Sequence, residues 1–177
     1  MTERETRQGG YNLVEVLIAM GLLSTVLISI VTLFFMGRAN VYSGKQLTRA
    51  TSVATSVVED LGPLNPARTY EAFGIDETTE TDDEPTVGTT KYEDAIIRST
   101  DDLTPDAKGY LARWTELIPA ERLTDGHVTL VFQPRELLDA NDVTSARILQ
   151  IKVVVQWNES RREREVVLET TKLNRRA

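Results

Sequence analysis

Apolar residues are distributed unevenly along this chain. From Leu13 to Met36 it reads LVEVLIAMGLLSTVLISIVTLFFM, with Glu15 as the only charge. At about 1.5 Å per helical residue such a run extends roughly 36 Å, more than the ~30 Å of a bilayer's hydrocarbon core. It predicts a transmembrane helix over about 13–36. The run is too long for the apolar region of a cleaved secretory signal, about 7–15 residues, although Gly37-Arg38-Ala39 has the small-x-small form of a cleavage site. Further on, the apolar positions narrow to a stripe. Val41, Ala50, Val53, Ala54, Val57, Val58 and Leu61 recur at spacings of three and four, leaving Lys45, Arg49, Glu59 and Asp60 on other faces. No proline interrupts the chain before Gly62-Pro63, which supplies a stop. The pattern predicts one helix from about Asn12 to Asp60, transmembrane at first and amphipathic over about 38–60. The amphipathic half needs another layer to lie on.

The period then changes. Residues 62–127 read as a loop-rich region, with a short helix over 106–118 that ends before Pro119. Residues 128–177 read as antiparallel sheet. There Val128, Leu130 and Phe132 alternate with Thr129, Val131 and Gln133. Ile151, Val153, Val155 and Trp157 alternate with Lys152, Val154 and Gln156. Val166, Leu168 and Thr170 alternate with Glu165, Val167 and Glu169. The polar run Asn158–Glu163 suits a hairpin turn, and matching the apolar faces of its two strands sets Lys152 opposite Glu169 on the outer face. The expected fold class is α+β, a long N-terminal helix packed on a small C-terminal antiparallel β-sheet.

Composition removes several function classes. The chain's 177 residues suit one ordinary domain, and its net charge of −7 argues against direct nucleic-acid binding. Without cysteine there is no disulfide scaffold, thiol nucleophile, cysteine zinc site or lipidated cysteine. His127, the single histidine, sits beside a strand after Asp125-Gly126, a place that suits a turn or surface residue better than a catalytic base. No nucleophile elbow, P-loop, zinc-type His-Glu-x-x-His or dinucleotide glycine fingerprint is present. The expectation is no enzyme, no catalytic residue, no cofactor and no metal. The acidic, threonine-rich run at 76–84 offers oxygen ligands for calcium but lacks EF-hand spacing, so a solvated loop is the simpler reading.

The boundary of the apolar run carries the most specific chemistry: Gly9-Gly10-Tyr11-Asn12-Leu13-Val14-Glu15. Asn12 and Glu15 have the spacing of a capping box, which explains a glutamate at a helix start without any partner. That account leaves Gly9-Gly10, the short leader and the aromatic residue unexplained. Taken whole, the stretch resembles the cleavage and methylation signature of type IV prepilins and pseudopilins. Tyr11 replaces the usual Phe, Asn12 the commoner Thr or Ser, and the leader is less basic than usual. The resemblance implies a pilin-like fold with residues 1–10 as leader and 11–61 as the long helix. Prepilin peptidase would cut between Gly10 and Tyr11 and N-methylate Tyr11. Glu15 would meet the new amine of a neighbouring subunit during assembly. It also implies an inner-membrane protein with a cytoplasmic N-terminus and a periplasmic C-terminal domain, an orientation that the basic residues flanking the helix do not decide by themselves. The partners implied are prepilin peptidase, other pilins or pseudopilins and the inner-membrane assembly platform. The C-terminal hairpin resembles that of pilus-modification-type minor pilins and the I-type pseudopilins of type II secretion, and the proline-free helix leans toward a minor subunit. The rival reading is a single-pass membrane-anchored periplasmic binding module, or an unrecognised enzyme, that never polymerises.

Overall fold

In the computed structural model an α-helix, α1, runs from Leu13 to Leu61, 49 residues in all. The structure describes residues 13–100, 110–121, 123, 125–159 and 162–174. Gly10, Tyr11 and Asn12, on which the processing motif rests, lie outside them. The chain divides between Ser43 and Gly44 into two units. The described part of the first is helix alone.

In the second unit the amphipathic end of α1 is followed by α2 (Pro66–Ala72), β1 (Thr86–Val87), β2 (Thr90–Lys91), β3 (Ile96–Ser99), α3 (Tyr110–Ala120), β4 (His127–Arg135), β5 (Ile148–Glu159) and β6 (Arg162–Leu173). The last four strands form an antiparallel sheet in the order β3-β4-β5-β6, and β1 and β2 make a separate small hairpin. This is an α+β arrangement, a long N-terminal helix packed on a small antiparallel sheet, consistent with a pilin-like fold.

The core follows from two matched periodicities. On α1 the buried residues are Gln46, Ala50, Val53, Ala54, Val57 and Leu61, one stripe at three- and four-residue spacings. On the sheet, alternate residues of β4 (Val128, Leu130, Phe132) and β5 (Ile151, Val153, Val155) turn to the same side and meet that stripe. Alanine at two of the stripe positions lets the helix come close to the sheet. Phe73, just beyond α2, seals one side, its ring 6.0 Å from that of Trp114 and 5.2 Å from that of Phe132. Val41, grouped with the stripe by spacing, is exposed and belongs to the first unit.

Polar contacts tie the elements to this core. The C-terminal carbonyls of α1 have no basic residue in their own last turn. Lys172 of β6 supplies the cation, donating from Nζ to Leu61 O at 2.6 Å and to Leu64 O. Burial pushes its ammonium below the ordinary lysine range. Asp60 accepts from Trp114 Nε1 at 2.9 Å and from Arg113 Nη1 at 3.0 Å, holding α3 against α1. Arg98 of β3 does the same for α2, donating from Nε to Phe73 O at 2.9 Å and from Nη2 to Gly74 O at 3.2 Å. Tyr70 Oη donates to Val143 O at 3.1 Å, and burial followed by the charge of Asp142 raises its pKa to about 12.

Several expectations need correction. The sheet does not begin at 128: β3 lies within the region read as loop and forms one edge, and β4 starts at His127. That region also holds α2, whose start follows ordinary rules, since Asn65 Oδ1 accepts from Arg68 N at 2.8 Å and Pro66 occupies the first turn. α3 continues through Pro119 to Ala120, and Glu121 N still donates to Leu117 O at 3.0 Å. A proline so near the end costs a single backbone bond. Residues 106–109 of that expected helix lie outside the described set. The second face of the sheet is not solvated throughout. Val131 and Val154 are buried there beneath Val87, Tyr92 and Ala95. Lys152 is opposite Glu169 in register, as expected, but its Nζ lies 5.0 Å from the centre of the Tyr92 ring.

Two substitutions test this packing. Asp60→Ala removes the acceptor from the indole of fully buried Trp114, and should cost about 2–3 kcal/mol in a urea titration. A loss under about 0.5 kcal/mol, the range of a neutral surface change, would show that α3 is held by other contacts. Gly88 has φ +60, and a Cβ there would stand 2.1 Å from Glu165 Oε2 and 2.7 Å from Gln156 Nε2. Both atoms are the free ends of flexible side chains, so the cost comes from the backbone. A β-branched residue is strained at this positive φ, and Gly88→Val should loosen the β1–β2 hairpin and speed hydrogen exchange of the Tyr92 amide, which donates to Pro85 O.

Candidate functional site

Every large apolar side chain from Leu13 to Met36 is exposed, with Leu17 at 60% and Phe34 at 71%. A soluble protein seldom shows a contiguous apolar patch beyond a few hundred Å². This surface encircles the helix along its whole apolar length. Such a helix needs an apolar surrounding, whether lipid or the flanks of other helices. Its hydroxyl groups are already provided for. Ser24 donates to Met20 O at 2.8 Å, Thr25 to Leu22 O at 2.7 Å, Ser29 to Thr25 O at 2.8 Å and Thr32 to Ile28 O at 2.8 Å. Each of those side chains can enter hydrocarbon without leaving its donor unpaired. Among the described residues this is one helix long and apolar enough to cross a membrane.

Glu15 stands out against that background. It lies in the first turn of α1, where the helix dipole favours a negative charge. The segment Leu13–Met36 contains no Lys or Arg, so the apolar half of the helix has no cation of its own to offer it. On the same face Val16, Ala19, Met20 and Leu23 bound a shallow open depression of about 270 Å³ beside the carboxylate. The helical period puts residues four and eight positions beyond Glu15 below it, and Ala19 leaves the notch. The arrangement is a carboxylate with an apolar seat next to it, open to a partner from outside the chain. It joins Glu15 to the helix start, while Gly10 and Tyr11 lie beyond the described residues.

Elsewhere the polar side chains serve the fold. His127 Nε2 lies 2.8 Å from Gln156 Oε1, and Gln156 Nε2 donates to Glu163 Oε1 at 3.0 Å. With Ser99 and Thr129 these line a groove of about 330 Å³ beneath the β1–β2 hairpin. Sequence reasoning did not anticipate it. The signal available was Gln156, a polar residue on the sheet's second face. In the acidic run, Asp76 Oδ1 accepts from Thr78 N at 3.0 Å, Thr78 Oγ1 at 2.8 Å and Thr79 Oγ1 at 3.0 Å. The hydroxyl of Thr78, then that of Thr79, hold its carboxyl below the usual range. Asp82 pairs with Ala95 through two backbone bonds of 3.0 and 3.1 Å, so the run is anchored at that point. Among the described residues no group of three or more His, Asp or Glu side chains is placed to hold a metal ion.

No family model matches this chain, and the comparisons with curated proteins and with solved structures find no match.

Charges at the middle of the apolar run test the membrane reading. Replacing Leu23, Leu27 and Ile30 together with Lys should add roughly 8–10 kcal/mol to insertion, more than the rest of the run supplies, and move most of the full-length chain from the carbonate-resistant membrane fraction to the extractable one. Full retention in the membrane fraction would mean that something other than Leu13–Met36 holds the chain there.

Proposed function

We propose that this chain is a minor pilin or pseudopilin, a structural subunit processed by prepilin peptidase and incorporated at or near the tip of a type IV pilus or a type II secretion pseudopilus. The observation that carries the reading is the design of α1. Its apolar half exposes every large side chain, begins with one carboxylate and no cation, and continues as a helix whose later stripe is built into a β-domain. The sequence Gly9-Gly10-Tyr11-Asn12-Leu13-Val14-Glu15 supports it independently.

In this reading the subunit waits in the inner membrane, N-terminus in the cytoplasm and β-domain in the periplasm. Gly10 offers the peptidase a scissile bond with no side chain to exclude. Cleavage creates an amine at Tyr11, which is then N-methylated, four residues before Glu15. Neither charge is comfortable in hydrocarbon, where a lone acid costs on the order of 2.5–3.5 kcal/mol at the helix centre. The Tyr11 amine of one subunit set against Glu15 of the next removes both penalties at once, so helices stack in a defined stagger. The β-domain then selects neighbours. Chemistry is left to the peptidase, and the chain itself is no catalyst. The partners are other pilins or pseudopilins and the assembly platform.

Intact mass measurement of the membrane-extracted protein tests this directly. The expected mature chain begins at Tyr11 and carries one added methyl. An N-terminus at Met1 in cells that contain prepilin peptidase would favour a membrane-anchored binding module that never polymerises. Gly10→Leu should accumulate the longer form on immunoblots. Glu15→Ala should leave cleavage and membrane insertion intact while lowering the amount recovered in sheared filament fractions. Normal recovery would leave Glu15 with the capping role alone.

A further inference from the structure

The sheet ends on two edges of unequal kind. β3 is a short edge of four residues. β6 has 12 residues, with neither proline nor glycine, and pairs with β5 one to one from Ile148↔Leu173 to Glu159↔Arg162 without a bulge. Just beyond that register, Asn174 N donates to Arg147 O at 2.8 Å. Antiparallel alternation then turns the N–H and C=O groups of even-numbered β6 residues toward β5 and those of odd-numbered ones away. Glu163, Glu165, Val167, Glu169, Thr171 and Leu173 present their backbone groups outward, and no described strand pairs with them. Shortness, proline and bulges blunt many edges, and β6 has none of them. Its edge is guarded by charge alone, through Arg162, Glu163, Arg164, Glu165, Glu169 and Lys172, which admits only a strand of complementary charge.

The same alternation sorts the side chains by charge. Glu163, Glu165 and Glu169 stand on the face that carries the β1–β2 hairpin, where Glu165 Oε1 accepts from Thr89 Oγ1 at 2.9 Å. Arg162, Arg164 and Lys172 stand on the face that α1 covers, where Lys172 caps the helix. An added strand would continue both faces and meet a row of carboxylates on one of them.

We propose that the free edge of β6 takes an extended segment of another protein as a fifth strand, with Lys or Arg at alternate positions on the glutamate side. Main-chain bonds to the outward groups provide affinity, and the alternate side chains provide selectivity. A second copy of this chain is a poor occupant. Antiparallel pairing of β6 with itself about Val167, the register of near-full overlap, sets Glu165 opposite Glu169 and Arg162 opposite Lys172, and like charges across a strand pair are unfavourable. The net charge of −7 adds attraction at longer range for a basic partner. The inference stands on the sheet alone and does not depend on filament assembly.

Amide hydrogen exchange on the full-length chain in detergent micelles tests it. The probes are an alternating lysine–valine heptapeptide and its glutamate–valine counterpart. Outward amides of Val167 and Glu169 should exchange freely alone, then slow by about tenfold or more with the lysine peptide, as paired strand amides do. The glutamate peptide should leave them unchanged. Glu169→Lys, a change at an exposed position, should weaken the lysine peptide roughly fivefold, and Val167→Pro should abolish its binding without removing a bond to β5. Three results would overturn the proposal: protection of these amides with no peptide, binding of the lysine peptide without their protection, or equal protection by both peptides. Absence of any binding by the lysine peptide would overturn it as well.

Discussion

Ala50, Val53, Ala54, Val57 and Leu61 of α1 are wholly removed from solvent, and so are Leu130, Phe132, Ile151 and Val153 on the sheet face opposite them. Burying a valine or leucine side chain contributes about 1.5–3 kcal/mol. The three larger side chains of the stripe therefore supply a sum comparable with the ~5–15 kcal/mol net stability of an ordinary domain. Among the described residues the sheet has no other helix of similar length to cover that face. The exposed apolar run and part of the domain core thus belong to one helix, and this is what makes α1 more than a tether.

The polar contacts are arranged around that burial. A helix that ends inside a domain leaves carbonyl groups facing apolar surroundings. Here the cation that meets them comes from the last strand, through Lys172, so the far end of the sheet is fastened to the end of the helix. Asp60 sits one residue before that end and recruits α3 through the Trp114 indole. The second face is closed more lightly, by a two-strand hairpin whose tip threonine meets Glu165 on β6. β6 thereby contributes to both faces while its outer edge stays open.

Much of this was legible before any coordinates. The apolar run, the i, i+3, i+4 stripe and the Gly62-Pro63 stop predict α1 to within a residue of Leu13–Leu61. Alternation predicts β4 to β6 and places Lys152 opposite Glu169. Two short elements, β3 and α2, were not legible. Ile96-Ile97-Arg98-Ser99 is too brief to show a period, and its strand character comes from pairing with β4. Asn65-Pro66 carries a helix-start signal, but seven residues of α2 have no stripe of their own to reveal it. The cover over Val131 and Val154 was missed because alternation assigns them to a polar face, and only the tertiary fold brings Val87 and Tyr92 across. At the candidate site, Glu15 was visible as a lone charge in an apolar run. The notch at Ala19 follows from helical spacing, whereas the groove under the hairpin depends on residues far apart in sequence.

The last turns of α1 belong to the fold of the β-domain. Thermal melts followed by circular dichroism, on a chain beginning at Ala39 and one beginning at Gly62, test it most directly. The longer chain should unfold in one cooperative transition. The shorter, stripped of the stripe that covers the sheet, should melt at least about 10 °C lower or show no transition, since the loss approaches the whole stability of such a domain. Equal midpoints would make α1 a stalk that merely touches the sheet.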